Sequence, residues 1–449
     1  MFTIFALATP PGKSGVAVIR ISGTAAKESF TTLAVPLPAP RRATLATLKY
    51  NDEIIEKALV LYFNGPESFT GEDVVEIHCH GSHAVLRQLL RILSALPHYR
   101  MAEPGEFTRR AFLNGKMDLT AAEGLADLID ADTEAQRKQA MRLMEGESEK
   151  FYGALRKNIL HSLAFLEAYI DFPDEDIPDT VLAEIDSEIQ DIVRTIHAQL
   201  ADNSASEKIR EGIAIAILGA PNVGKSSLMN LLAKRDVAIV SSIAGTTRDV
   251  IEVHLDIKGY PVILADTAGI REHADSIEQE GIRRSLERAK AADIKIVVLD
   301  VAEVAGCRLQ VAGALDLLAT CDMQPATTII LLNKSDLLPP LPLSPIHDII
   351  PIPFSVKERF GVDSLMQAIE EKIGGTIPPE RSFITRQRHR LHLETALSHM
   401  QRYTHMQNQG IELRCEELRL AATEIGKITG RIPVDEVLGE IFSNFCIGK

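Results

Sequence analysis

The residues of this chain with the clearest chemistry lie in one short run, Gly219-Ala-Pro-Asn-Val-Gly-Lys-Ser226. An apolar run, Ile213 to Leu218, precedes it and a helical pattern follows it, so a buried strand is predicted to enter a glycine-rich turn that opens a helix. The N–H groups of such a turn converge on phosphate oxygens. Lys225 would bring its charge to the terminal phosphates, and the Ser226 hydroxyl suits a magnesium ion. The run therefore predicts a nucleoside triphosphate site.

A second polar motif, Asp266-Thr267-Ala268-Gly269, follows the strand-like run Tyr260 to Ala265. Asp266 is placed to hold the water shell of the metal, and the Gly269 N–H can sense the γ-phosphate. The next residue is Ile270, where Ras-like proteins carry the glutamine that orients the attacking water. An alkyl side chain cannot orient water, so a carboxylate in the following stretch is the expected replacement. The candidates there are Glu272, Asp275, Glu278 and Glu280.

A third motif, Asn333-Lys334-Ser335-Asp336, follows the apolar run Thr328 to Leu332. The Asp336 carboxylate can accept two hydrogen bonds from N1–H and the N2 amino group of guanine, whereas adenine presents a lone pair at N1. The stretch Ser355-Val356-Lys357 resembles the last, weaker guanine-binding element of such proteins, in which small residues pack under the base. These motifs, in this order and at the ends of predicted strands, indicate a GTPase.

A hydroxyl-rich segment, 240–249, lies between the phosphate loop and Asp266. Its composition is poor in helix formers, which predicts a switch loop that folds over the γ-phosphate, with Thr247 as a second magnesium ligand beside Ser226. A solvated hairpin loop is the alternative. The predicted contacts with GTP are Asn222, Val223, Gly224, Lys225, Ser226, Ser227, Ser241, Ser242, Ile243, Ala244, Gly245, Thr246, Thr247, Asp266, Thr267, Ala268, Gly269, Asn333, Lys334, Asp336, Ser355, Val356 and Lys357.

Motifs outside this domain resemble those of a single family. They are Ala8-Thr-Pro-Pro-Gly12, Ile19-Arg-Ile-Ser-Gly23, Ser68-Phe-Thr-Gly-Glu-Asp73, Pro104-Gly-Glu-Phe-Thr108, Ala111-Phe-Leu-Asn-Gly-Lys116 and Phe445-Cys-Ile-Gly-Lys449. Together they are similar to the motifs of the MnmE (TrmE) family of tRNA-modification GTPases. The resemblance extends over essentially the whole chain, from residue 8 to the last residue.

The resemblance implies a multidomain fold of mixed α+β and α/β class. It implies an α+β tetrahydrofolate-binding and dimerisation domain at 1–118, and a helical domain in two parts, 119–210 and 379–449. A Ras-like P-loop G domain at 211–378 is inserted between those parts. The patterns of the sequence agree, because strand-like runs alternate with short helices before residue 118 and helical spacing follows.

The family also implies an activity and its partners. A homodimer whose G domains meet is expected to hydrolyse GTP with potassium and magnesium, and to act with the flavoprotein MnmG in a heterotetrameric or larger complex. MnmG would bring FAD and NADH. The pair would install a carboxymethylaminomethyl or aminomethyl group at C5 of the wobble uridine, position 34, of certain tRNAs. The one-carbon unit would come from 5-formyl- or 5,10-methylene-tetrahydrofolate.

Individual roles follow only from the resemblance. The folate would contact Arg20, Glu76, Lys116 and Lys449, and potassium would bind Asn222, Ser241, Ile243 and Thr246. Glu278 falls on the water-orienting glutamate, and Lys225 and potassium would offset phosphate charge, in place of an arginine from an activating protein. Cys446 would serve at the modification site. As a lone cysteine among apolar neighbours it could instead be a buried packing residue.

The composition of the chain argues against several other functions and locations. The formal net charge of −14 argues against a broad nucleic-acid-binding face, so contact with tRNA would be local or shared with a partner. The five cysteines have no framework spacing, and no leader or membrane-spanning run is evident, which predicts a reduced, cytoplasmic location. One basic cluster, Arg381 to Arg390, is read as a solvated helix start.

Alternatives remain at this stage. A zinc site at His78, Cys79, His80 and His83 lacks a second ligand pair and is disfavoured. A ribosome-assembly GTPase would have a similar G domain but no use for the N-terminal motifs. A GTP-switched scaffold that recruits MnmG without contributing to the modification site is the alternative from another functional class.

Overall fold

The computed structural model groups the chain by contact into two compact units. The first comprises Met1–Ala126, Arg142–Gln190 and Thr395–Lys449, and the second Asp127–Met141 and Asp191–Glu394. The residues that the structure describes are 2–171, 179–201, 205–220, 222–234, 252–266, 290–302, 324–337, 344–376, 382–406, 410–432, 435–443 and 445–448. The predicted domain limits at 118, 210 and 378 do not coincide with this grouping and stay predictions.

The first unit begins with a six-stranded mixed sheet of order β3-β4-β5-β2-β1-β6. Its strands are β1 Thr3–Leu7, β2 Ala17–Ser22, β3 Thr44–Tyr50, β4 Glu53–Phe63, β5 Val74–Cys79 and β6 Tyr99–Met101, with helices α1 Glu28–Thr32, α2 His83–Ser94 and α3 Glu106–Leu113. Alternate residues of β2 and β5 are buried, as half-buried strands require. One face therefore packs in the core, and the other presents the side chains of Arg20 and Glu76.

The remaining helices confirm the predicted helical part. They are α4 Leu119–Ile129, α5 Glu134–Met144, α6 Glu147–Asp171, α7 Asp179–Leu200, α8 Ala205–Glu211, α11 Gln387–His405, α12 Ile411–Thr429 and α13 Asp435–Ser443. Helices α6 and α12 pack along each other, with Tyr152, Ile159 and Leu418 buried. Among the described residues, none of the helices is both long and apolar enough to cross a membrane.

The second unit contains a six-stranded sheet of order β12-β11-β10-β7-β9-β8. Its elements are β7 Ile213–Leu218, α9 Lys225–Ala233, β8 Glu252–Ile257, β9 Tyr260–Asp266, β10 Ile294–Asp300, β11 Thr328–Asn333, β12 Ile352–Pro353 and α10 Val362–Thr376. All neighbours run parallel except β8, which is antiparallel to β9. Every residue of β10 and β11 is buried, as in the central strands of a parallel sheet covered on both faces. This order confirms the predicted Ras-like α/β domain.

Candidate functional site

The phosphate loop joins the end of β7 to the start of α9, and its backbone requires two glycines. Gly219 has φ +150°, Asn222 +63° and Gly224 +103°. A Cβ atom on Gly219 would lie 2.3 Å from the Val298 carbonyl oxygen, and one on Gly224 would lie 2.3 Å from Asn333 Nδ2. Side chains are therefore excluded at both positions, which leaves the loop backbone free to approach a ligand.

Lys225 is the first residue of α9, and its side chain turns back to the loop. Its Nζ donates hydrogen bonds to the carbonyl oxygens of Gly219, at 3.0 Å, and Ala220, at 2.8 Å. The residue is 9% exposed. Ser226 follows it in the first turn of the helix. A fixed cation, a helix N-terminus and a hydroxyl thus meet at one loop, which is the donor set that triphosphate and magnesium require.

Asn333 at the end of β11 connects the phosphate loop to the predicted base-binding loop. Its Nδ2 donates to the Val223 carbonyl oxygen at 2.7 Å, and its Oδ1 accepts from the Val356 N–H at 3.2 Å. The side chain is buried, at 3% exposure. The sequence assigned Asn333 to guanine binding but did not reveal that it braces two loops, because this role depends on strands that are distant in sequence.

The rest of the base-binding motif is assembled beside it. Lys334 has φ +63° and its Nζ lies 2.6 Å from Asp300 Oδ2, an ion pair that sequence reasoning missed. Asp336 lies exposed in a short 3₁₀ helix, Ser335–Leu337, and Ser355 is buried. The structure therefore brings Lys334, Asp336 and Ser355 to the same edge of the sheet as the phosphate loop, with the Asp336 carboxylate accessible.

Several predicted site residues lie outside the described residues. Asp266 itself is described, and it is the last residue of β9, the strand next to β7 in the sheet. The undescribed ones are the 241–247 segment, Thr267, Ala268, Gly269, Glu278 and Lys449.

In the first unit, Arg20 on β2 and Glu76 on β5 are cross-strand partners. Arg20 Nε donates to Glu76 Oε1 at 3.0 Å, and the second guanidinium contact is 2.9 Å. The guanidinium carbon also lies 5.5 Å from the ring centroid of Phe69 and 5.8 Å from that of Phe107. Two aromatic rings thus flank a paired arginine that is only partly buried, a surface suited to a flat, polar heterocycle.

The neighbouring histidines pair with carboxylates. His78 Nε2 lies 3.1 Å from Glu76 Oε2, and His80 Nδ1 lies 2.9 Å from Glu56 Oε2. Burial raises the pKa of the Cys79 thiol to about 11, which disfavours the thiolate that zinc binds. Across the part of the chain that the structure describes, no group of three or more candidate ligands is placed to hold a metal ion.

A buried ion network holds the loop that carries Phe69. Arg110 Nη1 lies 2.9 Å from Glu72 Oε2, and its Nη2 lies 3.0 Å from Glu106 Oε1. Asn114 Nδ2 donates to the Thr70 carbonyl oxygen at 2.6 Å. Sequence reasoning missed Arg110, since its partner is 38 residues away. Lys116, a predicted folate contact, also reaches this loop, donating to the Pro66 carbonyl oxygen at 3.0 Å.

The C-terminal tail lies against the N-terminal sheet. Pro104 and Ile447 form an antiparallel bridge, and the Gly105 N–H donates to the Cys446 carbonyl oxygen at 3.4 Å. A Cβ on Gly448 would lie 2.2 Å from the Leu7 carbonyl oxygen at the end of β1, the strand beside β2. Cys446 is exposed, so its interpretation as a buried packing residue is wrong.

The predicted basic cluster is largely used in ion pairs within the second unit. Arg386 Nη2 lies 2.6 Å from Asp127 Oδ1, and Arg390 Nη2 lies 2.8 Å from Glu207 Oε2. Arg381 lies outside the described residues. The interpretation of the cluster as a solvated helix start is therefore wrong for Arg386 and Arg390, whose side chains are mostly buried in ion pairs.

Comparisons with known proteins match the parts of the chain that carry both candidate sites. A family model described as "MnmE helical domain" matches residues 119–446, and one described as "GTP-binding protein TrmE N-terminus" matches residues 3–116. The tRNA modification GTPase MnmE of Rickettsia rickettsii (strain Sheila Smith) is 48% identical, with 100% of each chain covered. The chain belongs to the MnmE family of tRNA modification GTPases. The MnmE protein of Rickettsia bellii (strain RML369-C) is 46% identical, again over 100% of both chains.

Membership of this family makes the chain a GTPase that binds GTP and magnesium and has a role in tRNA modification. A solved structure, the G domain of the T. maritima FeoB iron transporter, also matches at 23% identity, with 37% of this chain and 99% of that chain covered. Its TM-score of 0.25 is too low for the likeness to support an inference.

Proposed function

We propose that this chain is a potassium-stimulated GTPase that acts as a homodimer with MnmG on certain tRNAs. Together they install a carboxymethylaminomethyl or aminomethyl group at C5 of the wobble uridine, position 34, and G-domain dimerisation with GTP hydrolysis drives the modification. The carrying observation is the tail contact, because it holds exposed Cys446 against the sheet that bears the Arg20–Glu76 pair.

The N-terminal face has the chemistry that a reduced folate needs. A pterin carries N–H and amino donors on a planar ring, and Glu76 offers carboxylate oxygens beside Arg20, whose guanidinium lies near the rings of Phe69 and Phe107. Lys116 is exposed on the adjoining loop, where its charge suits the carboxylates of a folate tail. Arg20, Glu76 and Lys116, with Lys449 from the tail, are therefore proposed to hold a 5-formyl- or 5,10-methylene-tetrahydrofolate that supplies the one-carbon unit.

The nucleotide loop suits the magnesium ion that the family uses. Ser226 stands in the first turn of α9, and Thr247 is the proposed second ligand. The ion would offset phosphate charge, and Lys225 would add its own. Asn222, whose positive φ turns its backbone in the loop, is the described member of the proposed potassium set with Ser241, Ile243 and Thr246. Within the 267–280 stretch, Glu278 is proposed to orient water.

The hydrolytic part of the proposal is tested by ion dependence. GTP turnover should be much faster in KCl than in NaCl of equal ionic strength, because potassium supplies charge beside the phosphates. The Glu278→Ala variant should turn over about 10²-fold more slowly in both salts with nearly unchanged GTP affinity, since a positioned catalytic group is lost. Equal wild-type rates in the two salts would remove potassium from the mechanism.

The modification part is tested through Cys446. In a reaction with MnmG, FAD, NADH and a tetrahydrofolate donor, nucleoside analysis of the tRNA should show modified wobble uridine with the parent chain. Cys446→Ser should lose at least about 10-fold of that product while GTP turnover stays within about twofold. Full modification by the serine variant would contradict a role for the thiol, and it would favour a chain that acts only as a GTP-switched scaffold. The proposed partnership with MnmG is also the basis for proposing that FAD and NADH take part in the reaction and that the protein acts in the cytoplasm.

A further inference from the structure

Helix α5 is fastened to the nucleotide-binding sheet. The Ala135 N–H, in the first turn of α5, donates a hydrogen bond of 2.8 Å to the Gly259 carbonyl oxygen. Gly259 has φ +86° and forms the turn between β8 and β9. A Cβ on Gly259 would lie 3.4 Å from the Glu134 Cβ, so the helix start and the hairpin turn are in van der Waals contact. The sequence alone placed α5 in the helical domain.

The same helix also holds the segment that leads into β7. Gln136 Nε2 donates to the Arg210 carbonyl oxygen at 3.1 Å, and Gln139 Nε2 donates to the Ser206 carbonyl oxygen at 2.9 Å. Helix α8 is one residue from β7, the strand that carries the phosphate loop. Two elements of the nucleotide-binding unit are thus tied to α5 within five residues, 135–139.

In the sequence, the β8–β9 hairpin lies between the two proposed switch segments. Strand β8 begins directly after the segment 240–251, which contains the proposed switch loop, and β9 ends at Asp266, where the second proposed switch motif starts. Both segments join the same end of this hairpin, so the proposed γ-phosphate-dependent change in either one would reach the hairpin there. Its turn, at the other end, is the part that contacts α5.

We propose that α5 is a positioning element that moves with the β8–β9 hairpin and carries a GTP-dependent displacement of the hairpin into the helical part of the chain. Residues up to Met141 group with the nucleotide-binding unit, whereas the helix continues without a break to Met144. Because a hydrogen-bonded helix is stiff, movement of its first turn displaces its last. The proposal rests on the proposed function, since it assigns the route by which GTP hydrolysis reaches the modification site.

Proline at Ala135 tests the contact with little change to the helix. Proline is accepted in a first turn because that N–H has no partner within the helix, so Ala135→Pro removes chiefly the bond to Gly259. We expect GTP turnover and KM within about twofold of the parent, and tRNA modification at least about 10-fold lower. Glu134→Pro is the matched control, because it puts proline one position earlier and keeps the Ala135 N–H.

A reversible cross-link supplies the opposite test. The 3.4 Å separation is close to the Cβ–Cβ range of about 3.5–4.5 Å found in disulfides, so Glu134→Cys with Gly259→Cys should form one on oxidation. Because Gly259 has φ +86°, a side chain there is strained, and the reduced double variant is the reference for the oxidised one. If α5 and the hairpin move as one body, the oxidised protein keeps both activities. Adding Ala135→Pro to the oxidised pair should restore modification to within about threefold of the parent, because the cross-link replaces the lost bond. A merely folding-related role would not give this rescue.

The hairpin turn has a second contact, outside α5, whose loss serves as a control for a general loosening of the turn. Lys258 Nζ lies 2.8 Å from Glu370 Oε2 on α10, and Lys258→Gln breaks that ion pair without touching α5. Normal modification by Ala135→Pro, equal losses in Ala135→Pro and Lys258→Gln, or a block on oxidation that reduction reverses would each overturn the proposal. If the parent chain with MnmG modifies no tRNA, the proposed function itself is wrong, and this result is seen before any variant is made.

Discussion

The two candidate sites of this molecule are built by opposite means. The phosphate loop is made from consecutive residues, 219–226, and its geometry depends on backbone groups and on glycines that leave room. The N-terminal candidate site depends on side chains from separate segments, since sheet register pairs Arg20 with Glu76 and the C-terminal tail forms a bridge at Pro104. Adding an atom to the phosphate loop should therefore weaken ligand binding there. At the N-terminal face, removing a side chain should weaken it.

The largest expected effect comes from adding one carbon to the phosphate loop. In Gly224→Ala the new Cβ meets Asn333 Nδ2 at 2.3 Å, and the backbone stays in a left-handed conformation. The strain and the displaced Asn333 bond cost about 2–3 kcal/mol, so GTP affinity should fall about 10²-fold. Titration with a fluorescent GTP analogue measures this. Gly374→Ala on α10 is the control, because its Cβ meets nothing within 4 Å. Unchanged GTP affinity in Gly224→Ala would contradict the claim that the phosphate loop depends on room for its backbone.

Removing a side chain from the N-terminal face should have the next largest effect. Arg20→Ala takes away the partner that fixes Glu76 and the cation between Phe69 and Phe107. Loss of a hydrogen bond to a charged group is worth about 1.5–3 kcal/mol, so binding of a tetrahydrofolate should weaken at least about 10-fold. Equilibrium dialysis with 5-formyltetrahydrofolate measures it.

The matched control for that experiment is Arg109→Ala, an exposed arginine on α3. It should bind the folate normally, and GTP turnover should be unchanged in both variants because the nucleotide loop uses none of these groups. A fall in turnover with Arg20→Ala would show that the two sites are not separately built.

The smallest expected effect concerns pH, to which ion-paired sites respond and backbone loops do not. Burial alone would raise the pKa of Glu106, but hydrogen bonds from Arg100, the Glu103 N–H and Arg110 outweigh it, so the pKa lies below the ordinary 4.5. A lowered pKa stabilises the fold above the unfolded value of 4.5, and this stability is lost as pH falls through the folded pKa.

Urea unfolding from neutral pH down through this range should therefore show acid destabilisation that depends on the Arg100 pair. Arg100→Ala should cost about 1 kcal/mol near neutral pH, and the difference from the parent should shrink below pH 4.5. Arg91→Ala, an exposed arginine of α2, should leave the pH profile unchanged. A constant difference at all pH values would assign Arg100 a packing role.

Local patterns could predict a large share of this protein. The apolar run at 213–218 and the eight residues after it gave the strand, the loop and the helix start, because a phosphate loop is encoded by neighbours in sequence. The apolar run Thr328 to Leu332 likewise predicts a strand, and it forms the buried strand β11. The base preference followed from Asp336 for the same reason. The family motifs gave the mixed fold class, which the structure and the comparisons confirm.

The sequence by itself identified the phosphate-loop motif and the elements that carry the candidate site residues, since propensity and motif spacing act over a few positions. Only the tertiary structure decided that Asn333 braces the phosphate loop and that Arg110 holds the Phe69 loop. It also decided that α5 is fastened to the β8–β9 turn. Each of these contacts joins segments tens to hundreds of residues apart, and such pairings are set by sheet order and packing, on which local sequence patterns carry no information.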